Sequence, residues 1–261
     1  MHKDQLNSRR DFVRKIALAG LATCSLPVLR TMAEENGKSV KSKKTDNLVF
    51  LFQGDSITDG GRGRTADPNH IMGQGYAFSI ASRLGADYPE KKLTFYNRGI
   101  SGNKVTDLEA RWQKDTLDLK PDLLSILVGI NDSASVVFSR SPVVSVSLFE
   151  EVYKSLLDQT KVLFPDMLLV LCNPFLLPVG KVKDNLVSYK ADLAQRQVIV
   201  KSLAEQYHAV FVDFQAVFDK ACNRASPDYW IWDGVHPTVA GHELMAREWM
   251  KQVGKRLRFV R

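Results

Sequence analysis

Leu123-Leu124-Ser125-Ile126-Leu127-Val128, followed at once by Gly129-Ile130-Asn131-Asp132, decides how this 261-residue chain folds. One small hydroxyl among five aliphatic residues is the pattern of a strand buried on both faces. Working outward, Leu48–Phe52 repeats the pattern as a first strand and Leu93–Tyr96 forms a second. Leu168–Leu171 and Val210–Val212 follow as a fourth and a fifth. Between them the apolar spacing turns helical, over Tyr76–Leu84 and over Lys104–Leu117 with Val105, Leu108 and Trp112. Further helices are expected over Ser147–Phe164, with Ser147 as cap and Pro165 past the end, and over Leu186–Tyr207 as a long amphipathic segment. Thr238 caps a last one reaching Val253. Strands alternating with helices imply a parallel sheet flanked on both sides, with ligands bound beyond the carboxyl ends of the strands.

Four segments carry polar chemistry to those ends. Gly54-Asp55-Ser56-Ile57-Thr58 follows strand one, Gly99-Ile100-Ser101-Gly102-Asn103 strand two, and Gly129-Ile130-Asn131-Asp132 strand three. Asp233-Gly234-Val235-His236-Pro237 precedes the last helix. A serine hydroxyl becomes a nucleophile when a histidine takes its proton and a carboxylate holds that histidine. The oxyanion that then forms needs donors, which backbone amides and an Asn side chain supply. The spacing of Asp233 and His236 lets one loop carry both, and Pro237 pushes His236 towards extended backbone. Taken alone, Ser56 would also suit a turn that caps local amides. Asn131-Asp132 would suit a loop turn, with Asp132 holding the loop. The Gly-x-Ser-x-Gly elbow is absent because residue 58 is Thr, which argues against an ordinary α/β-hydrolase.

The four segments, in this order and spanning about Phe50 to Thr238, resemble the four blocks of the GDSL or SGNH hydrolase family, with Ile57 where Leu is frequent. The resemblance implies an α/β fold: a three-layer α/β/α sandwich around a central, mostly parallel five-stranded sheet of the flavodoxin-like type. It makes Ser56 the nucleophile, His236 the base and Asp233 its orienting carboxylate. The oxyanion hole would comprise the amides of Ser56 and Gly102 and the side chain of Asn131. Glycine suits position 102 because a side chain would obstruct the substrate's approach. No metal or organic cofactor is required, and no residues have zinc spacing.

Around these blocks, Trp230 and Trp232 could wall the pocket and stack on a sugar, or plug the core behind the catalytic loop. His70 could line the substrate site, whereas His208 and His242 read as packing or surface residues. Arg62, Arg64 and Lys104 could meet an acidic substrate or simply be solvated, and the second reading is preferred. The mostly polar loop Arg62–Gln74 favours a sugar substrate, so the expected reaction is deacetylation of a polysaccharide or oligosaccharide. Lipid or aryl-ester hydrolysis is the alternative. A catalytically dead carbohydrate-binding module would be expected to lose Ser56 or His236, and both are present.

The formal charge of +7 invites a nucleic-acid reading. Residues 1–33, however, hold six Lys/Arg against two Asp, leaving 30 basic and 27 acidic residues in the rest of the chain. No basic stripe or nucleic-acid motif remains. Ser8-Arg9-Arg10-Asp11-Phe12-Val13-Arg14-Lys15, the apolar stretch Ile16–Leu29 and the small residues Thr31 and Ala33 together resemble a twin-arginine export signal over residues 1–33. Retention as an anchor and lipidation at Cys24 are the alternatives. Residues 34–46 read as a flexible linker and 47–261 as the hydrolase domain, which would work in the periplasm or outside the cell. No stable membrane span is expected once the signal is removed. Cys172 and Cys222 are expected to be separate thiols. Oligomeric state has no signature in the sequence.

Overall fold

The computed structural model describes residues 44–260. Strands β1 (Val49–Gly54), β2 (Thr94–Asn97), β3 (Leu123–Leu127), β4 (Leu168–Cys172) and β5 (Val210–Val212) form one all-parallel sheet in the order β2-β1-β3-β4-β5. β3 is buried throughout and lies at the centre. The chain steps from β1 outward to β2 and then returns to β3 on the other side, which creates a switch point at the carboxyl end of β1.

The connecting helices are α1 (Ser56–Asp59), α2 (Tyr76–Asp87), α3 (Val105–Asp115), α4 (Ile130–Val137), α5 (Val146–Leu163), α6 (Gly180–Asp184), α7 (Leu186–Gln206), α8 (Phe214–Ala221), α9 (Pro227–Trp230) and α10 (Val239–Gly254). Alternate strand residues point to opposite faces. Phe50, Phe52, Leu127 and Cys172 pack with Tyr76, Phe214 and Trp249 from α2, α8 and α10. Leu51, Leu124, Ile126 and Leu171 pack with Trp112, Tyr153 and Val200 from α3, α5 and α7. Each fully buried Leu or Phe contributes about 1.5–3 kcal/mol, so two such faces fix the three layers. The one hydroxyl of β3 is accounted for: Trp249 Nε1 donates to Ser125 Oγ at 3.0 Å. Cys172 and Cys222 are both free thiols, and burial pushes Cys172 up to about 12.

Three expectations change. α5 is capped by Ser145, whose side chain accepts from the Leu148 amide at 3.1 Å, and not by Ser147. The short helices α1 and α4 begin inside segments read as loops, and α6, α8 and α9 also lie in stretches given no element. The long helix α7 is not amphipathic in the ordinary sense. It buries Asp192 and Arg196 beside Tyr189, Leu193 and Val200, and leaves Val187 and Val198 exposed. Of the expected linker, residues 44–46 are described. Lys44 pairs with Asp122 at 2.8 Å and Asp46 with Lys91 at 3.1 Å, so this end is held against the domain. The expected export signal and Cys24 lie outside the described residues. Among the described residues no helix is long and apolar enough to cross a membrane.

Arg196 is fully buried and its hydrogen bonds join distant parts of the chain. Its guanidinium donates to Asp192 Oδ1 at 2.7 Å, Ser133 Oγ at 3.1 Å and the Val144 carbonyl at 2.8 Å. The pair therefore ties α4 to α7 and to the start of α5. Removing one partner of a buried pair strands the other, so Arg196→Ala is expected to lower the unfolding free energy by about 3–5 kcal/mol in urea denaturation, and a loss under about 1 kcal/mol would contradict this role.

Candidate active site

At the switch point β1 ends in Gly54, and Asp55 caps the turn by accepting from the Ile57 amide at 3.0 Å. Ser56 is thereby the first residue of α1, where backbone amides have no partner within the helix. Its Oγ lies 2.8 Å from His236 Nε2. His236 Nδ1 lies 2.7 Å from Asp233 Oδ2, which assigns the ring proton to Nδ1 and leaves Nε2 to accept from Ser56. The other carboxylate oxygen, Asp233 Oδ1, accepts from the amides of His236 at 2.7 Å and Val235 at 3.0 Å. Asp233 therefore shapes its own loop as well as orienting the imidazole. The loop is narrow and anchored: Ile231 bridges Pro237, and Thr238 caps α10 by accepting from the Gly241 amide at 3.2 Å.

The second and third segments are tied to the same place. The Ile100 amide donates to the Gly54 carbonyl at 3.1 Å, and the Ser101 amide to Asp59 Oδ2 at 3.0 Å. This close approach explains Gly99, where a Cβ would lie 2.3 Å from the Asp59 nitrogen. Gly102 has φ +83° and open space where a Cβ would be. The chain's own atoms do not crowd that position, so its backbone angle is what calls for glycine. Asn131, the second residue of α4, donates from Nδ2 to the Asn103 carbonyl at 3.1 Å. One of its two amide hydrogens is thus held and the other remains for a ligand. Asp132 does hold the loop, accepting from the Val105 amide at 3.0 Å.

Several supporting residues were not legible in the sequence. Arg111 on α3 donates to Asn103 Oδ1 at 2.9 Å, the Arg98 carbonyl at 2.8 Å, Gln53 Oε1 at 2.9 Å and the Gly54 carbonyl at 3.3 Å. It fastens the ends of β1 and β2 to the residue that orients Asn131. Asn97, buried at the end of β2, donates to the carbonyls of Thr58 at 2.7 Å and Met72 at 2.9 Å and accepts from the Gly99 amide at 2.9 Å. A polar residue closing an apolar strand was the available signal for Asn97. Arg111 on a charged helix offered none.

The remaining candidates separate. Trp230 is buried and donates to the Ala221 carbonyl at 3.1 Å, as a core plug would. Trp232 is 64 % exposed and its ring lies near-parallel to that of His236, with centroids 6.3 Å apart. His70 is exposed in the loop after α1 and pairs with Asp67 at 2.5 Å, making no hydrogen bond to Ser56 or His236. Arg62 is partly buried and donates to the Gly99 carbonyl, whereas Arg64 pairs with Asp59 with its side chain 52% exposed and Lys104 reaches the Pro142 carbonyl at the surface, so all three make local ties while the last two remain in contact with solvent. His242 accepts from the Tyr76 amide at 3.1 Å, and burial lowers it to about 4. His208 is exposed in the turn before β5.

Electrostatically, the hydrogen bond that the His236 ring donates to Asp233 raises His236 above its ordinary 6.5, outweighing burial, with help from the Asp233 and Asp55 charges. Burial pushes Asp233 up, but the hydrogen bonds from the His236 ring and the two loop amides prevail and hold it below its usual value. An NMR titration of the His236 ring should therefore give a pKa above 6.5, which Asp233→Asn should lower. An unchanged value in Asp233→Asn would show that Asp233 does not set the charge of the ring.

Comparison with known proteins identifies the family. Residues 52–244 match the model of the GDSL-like lipase/acylhydrolase family. The acetylxylan esterase of Geobacillus stearothermophilus is 37% identical over 210 residues, covering 78% of this chain and 93% of that protein. Its crystal structure superposes with a TM-score of 0.71 over 81% of this chain and 96% of that one. Three solved variants of it, each described as a catalytic mutant, replace a serine, an aspartate, and a histidine three residues beyond that aspartate. A crystal structure from Parabacteroides merdae, described as a GDSL-like lipase, is 37% identical with a TM-score of 0.77 over 82% of this chain and 99% of that one. The chain belongs to the GDSL-like lipase/acylhydrolase family and is a carboxylic ester hydrolase.

Proposed function

We propose that the protein is a serine esterase that removes acetyl groups from xylan or xylo-oligosaccharides through an acyl-enzyme on Ser56. The observation that carries the reading is the unbroken line from Ser56 Oγ through the His236 ring to Asp233, at the switch point of a parallel sheet. His236 Nε2 takes the hydroxyl proton as Oγ attacks the ester carbonyl, while Asp233 stabilises the imidazolium. The oxyanion is received by the Ser56 and Gly102 amides and the remaining hydrogen of Asn131 Nδ2. His236 then protonates the leaving sugar hydroxyl. A water repeats the sequence, freeing acetate and restoring Ser56. The likeness to an acetylxylan esterase supports the substrate, as does Trp232, an exposed flat ring beside the imidazole that suits the face of a sugar.

Acetate release from acetylated xylan, compared with a series of p-nitrophenyl esters, tests the reading. Ser56→Ala is expected to abolish turnover. Asn131→Ala is expected to lose about 10²- to 10³-fold in kcat with folding intact. Activity confined to long acyl chains would move the assignment to lipid hydrolysis. No turnover dependent on Ser56 would leave only a carbohydrate-binding role.

For residues 1–33 the proposal is an export signal of the twin-arginine type, followed by a linker to residue 46 and the hydrolase domain from 47. Replacing Arg9 and Arg10 together by Lys should hold the protein inside a bacterial host. Unimpaired export of that double variant would refute the route.

A further inference from the structure

The segment between α1 and α2 joins β1 to the next helix, so it lies at the same carboxyl edge of the sheet as Ser56. It contains a cleft of about 310 Å³ lined by Gly61, Asn69, His70, Gly73, Gln74 and Phe78. Its position is fixed by two backbone hydrogen bonds. The Gly60 amide donates to the Ser56 carbonyl at 3.0 Å, and the Gln74 amide to the Gly60 carbonyl at 2.9 Å. The cleft therefore adjoins the far end of the helical turn that Ser56 begins, about 6 Å along the axis at 1.5 Å per residue. Its rim is held by further bonds, from the Gly63 amide to the His70 carbonyl at 2.7 Å and from the Gly73 amide to the same carbonyl at 3.1 Å.

The lining has a definite chemistry. Phe78 presents an aromatic side chain that is 43 % exposed although it sits on a core-forming helix. Asn69 and Gln74 each carry a donor and an acceptor, which matches a hydroxyl that both gives and receives a hydrogen bond. Asp67 holds His70 through Nδ1 and leaves Nε2 for a ligand. The Asp67 carboxylate is thus already paired, and none of the six lining residues is a lysine, arginine or acid. An aromatic ring, two side-chain amides and an imidazole lining one cleft suit a neutral, polyhydroxylated ring far better than an anion or an acyl chain.

We infer that this cleft is a sugar-binding subsite, which receives a xylose unit neighbouring the acetylated one and so makes the enzyme prefer chains to single sugars. The inference rests on the carbohydrate-esterase reading above, with Trp232 beside the imidazole and this cleft beside the other end of α1.

The experiment compares kcat/KM on an acetylated methyl xyloside, acetylated xylohexaose and p-nitrophenyl acetate, for the wild type and for Gln74→Ala/Phe78→Ala. Both side chains are exposed, so the double variant is expected to fold, and its turnover of p-nitrophenyl acetate serves as the reference. The wild type should favour the hexaose over the single sugar by about tenfold, mainly through KM, and the double variant should lose most of that advantage. Calorimetry of Ser56→Ala with unacetylated xylohexaose should show binding that disappears when Gln74 and Phe78 are also replaced. A wild type with no chain-length preference, or a double variant that retains it, would overturn the subsite while leaving the esterase reading in place. A wild type that hydrolyses p-nitrophenyl acetate but no acetylated sugar would overturn the carbohydrate reading and the subsite with it.

Discussion

One 2.8 Å hydrogen bond, between Ser56 Oγ and His236 Nε2, joins residues 180 positions apart, and the site depends on that contact being made. Its ends are fixed by different means. Ser56 is held from below by a buried strand end and by the Asp55 cap. His236 is held by Asp233, which spends one oxygen on the ring and the other on the loop's own amides. The sheet supplies the common frame, because a parallel sheet with helices on both faces brings the ends of β1, β2 and β3 to one edge. A donor, an acceptor and an orienting carboxylate can then meet although they come from opposite ends of the domain.

Two arginines tie that edge together. Arg111 ties the ends of β1 and β2 to Asn103, and Asn103 in turn holds Asn131. Arg196 fastens α4, the helix carrying Asn131, to α7. In the proposed mechanism, a donor held in place in this way acts on the developing charge without having to reorient when it appears. The arrangement has a cost in buried carboxyls. Burial raises Asp55 to about 7 and Asp132 to about 6, and each has one oxygen with no protein partner. Folded values above the ordinary 3.8 mean that their contribution to stability is fully present below 3.8 and is lost as pH rises towards 6 and 7. Asp233, held below its usual value, works in the opposite sense: its contribution is present above that value and is lost on acidification.

The strands were legible to within one or two residues because burial leaves a nearly continuous apolar run, broken at Leu123–Leu127 only by Ser125 and unbroken at Val210–Val212. α1 and α4 were not, because each starts within a polar loop motif and is too short to show a helical period. Two serines at 145 and 147 compete for one cap, and the choice depends on backbone angles that composition does not carry. α7 misled for a different reason: a buried ion pair on its inner side looks, in a sequence, like a solvated face. At the site, Ser56, Asp233 and His236 were singled out from motif and order, and Ser56 and Asp233 each lie within hydrogen-bonding reach of the His236 ring. Trp230 and Trp232 could be told apart only by burial. Arg111 could not be found, since its importance lies in carbonyls brought to it from other strands.

The most direct test of the account is to look for the covalent intermediate. Turnover of an acetyl ester would be quenched in acid within the steady state, and the protein digested and analysed by mass spectrometry. The account requires one acetyl group on the hydroxyl of Ser56, absent from Ser56→Ala. An active enzyme that never carries acetyl on Ser56, or a Ser56→Ala variant that still acquires it during turnover, would contradict it.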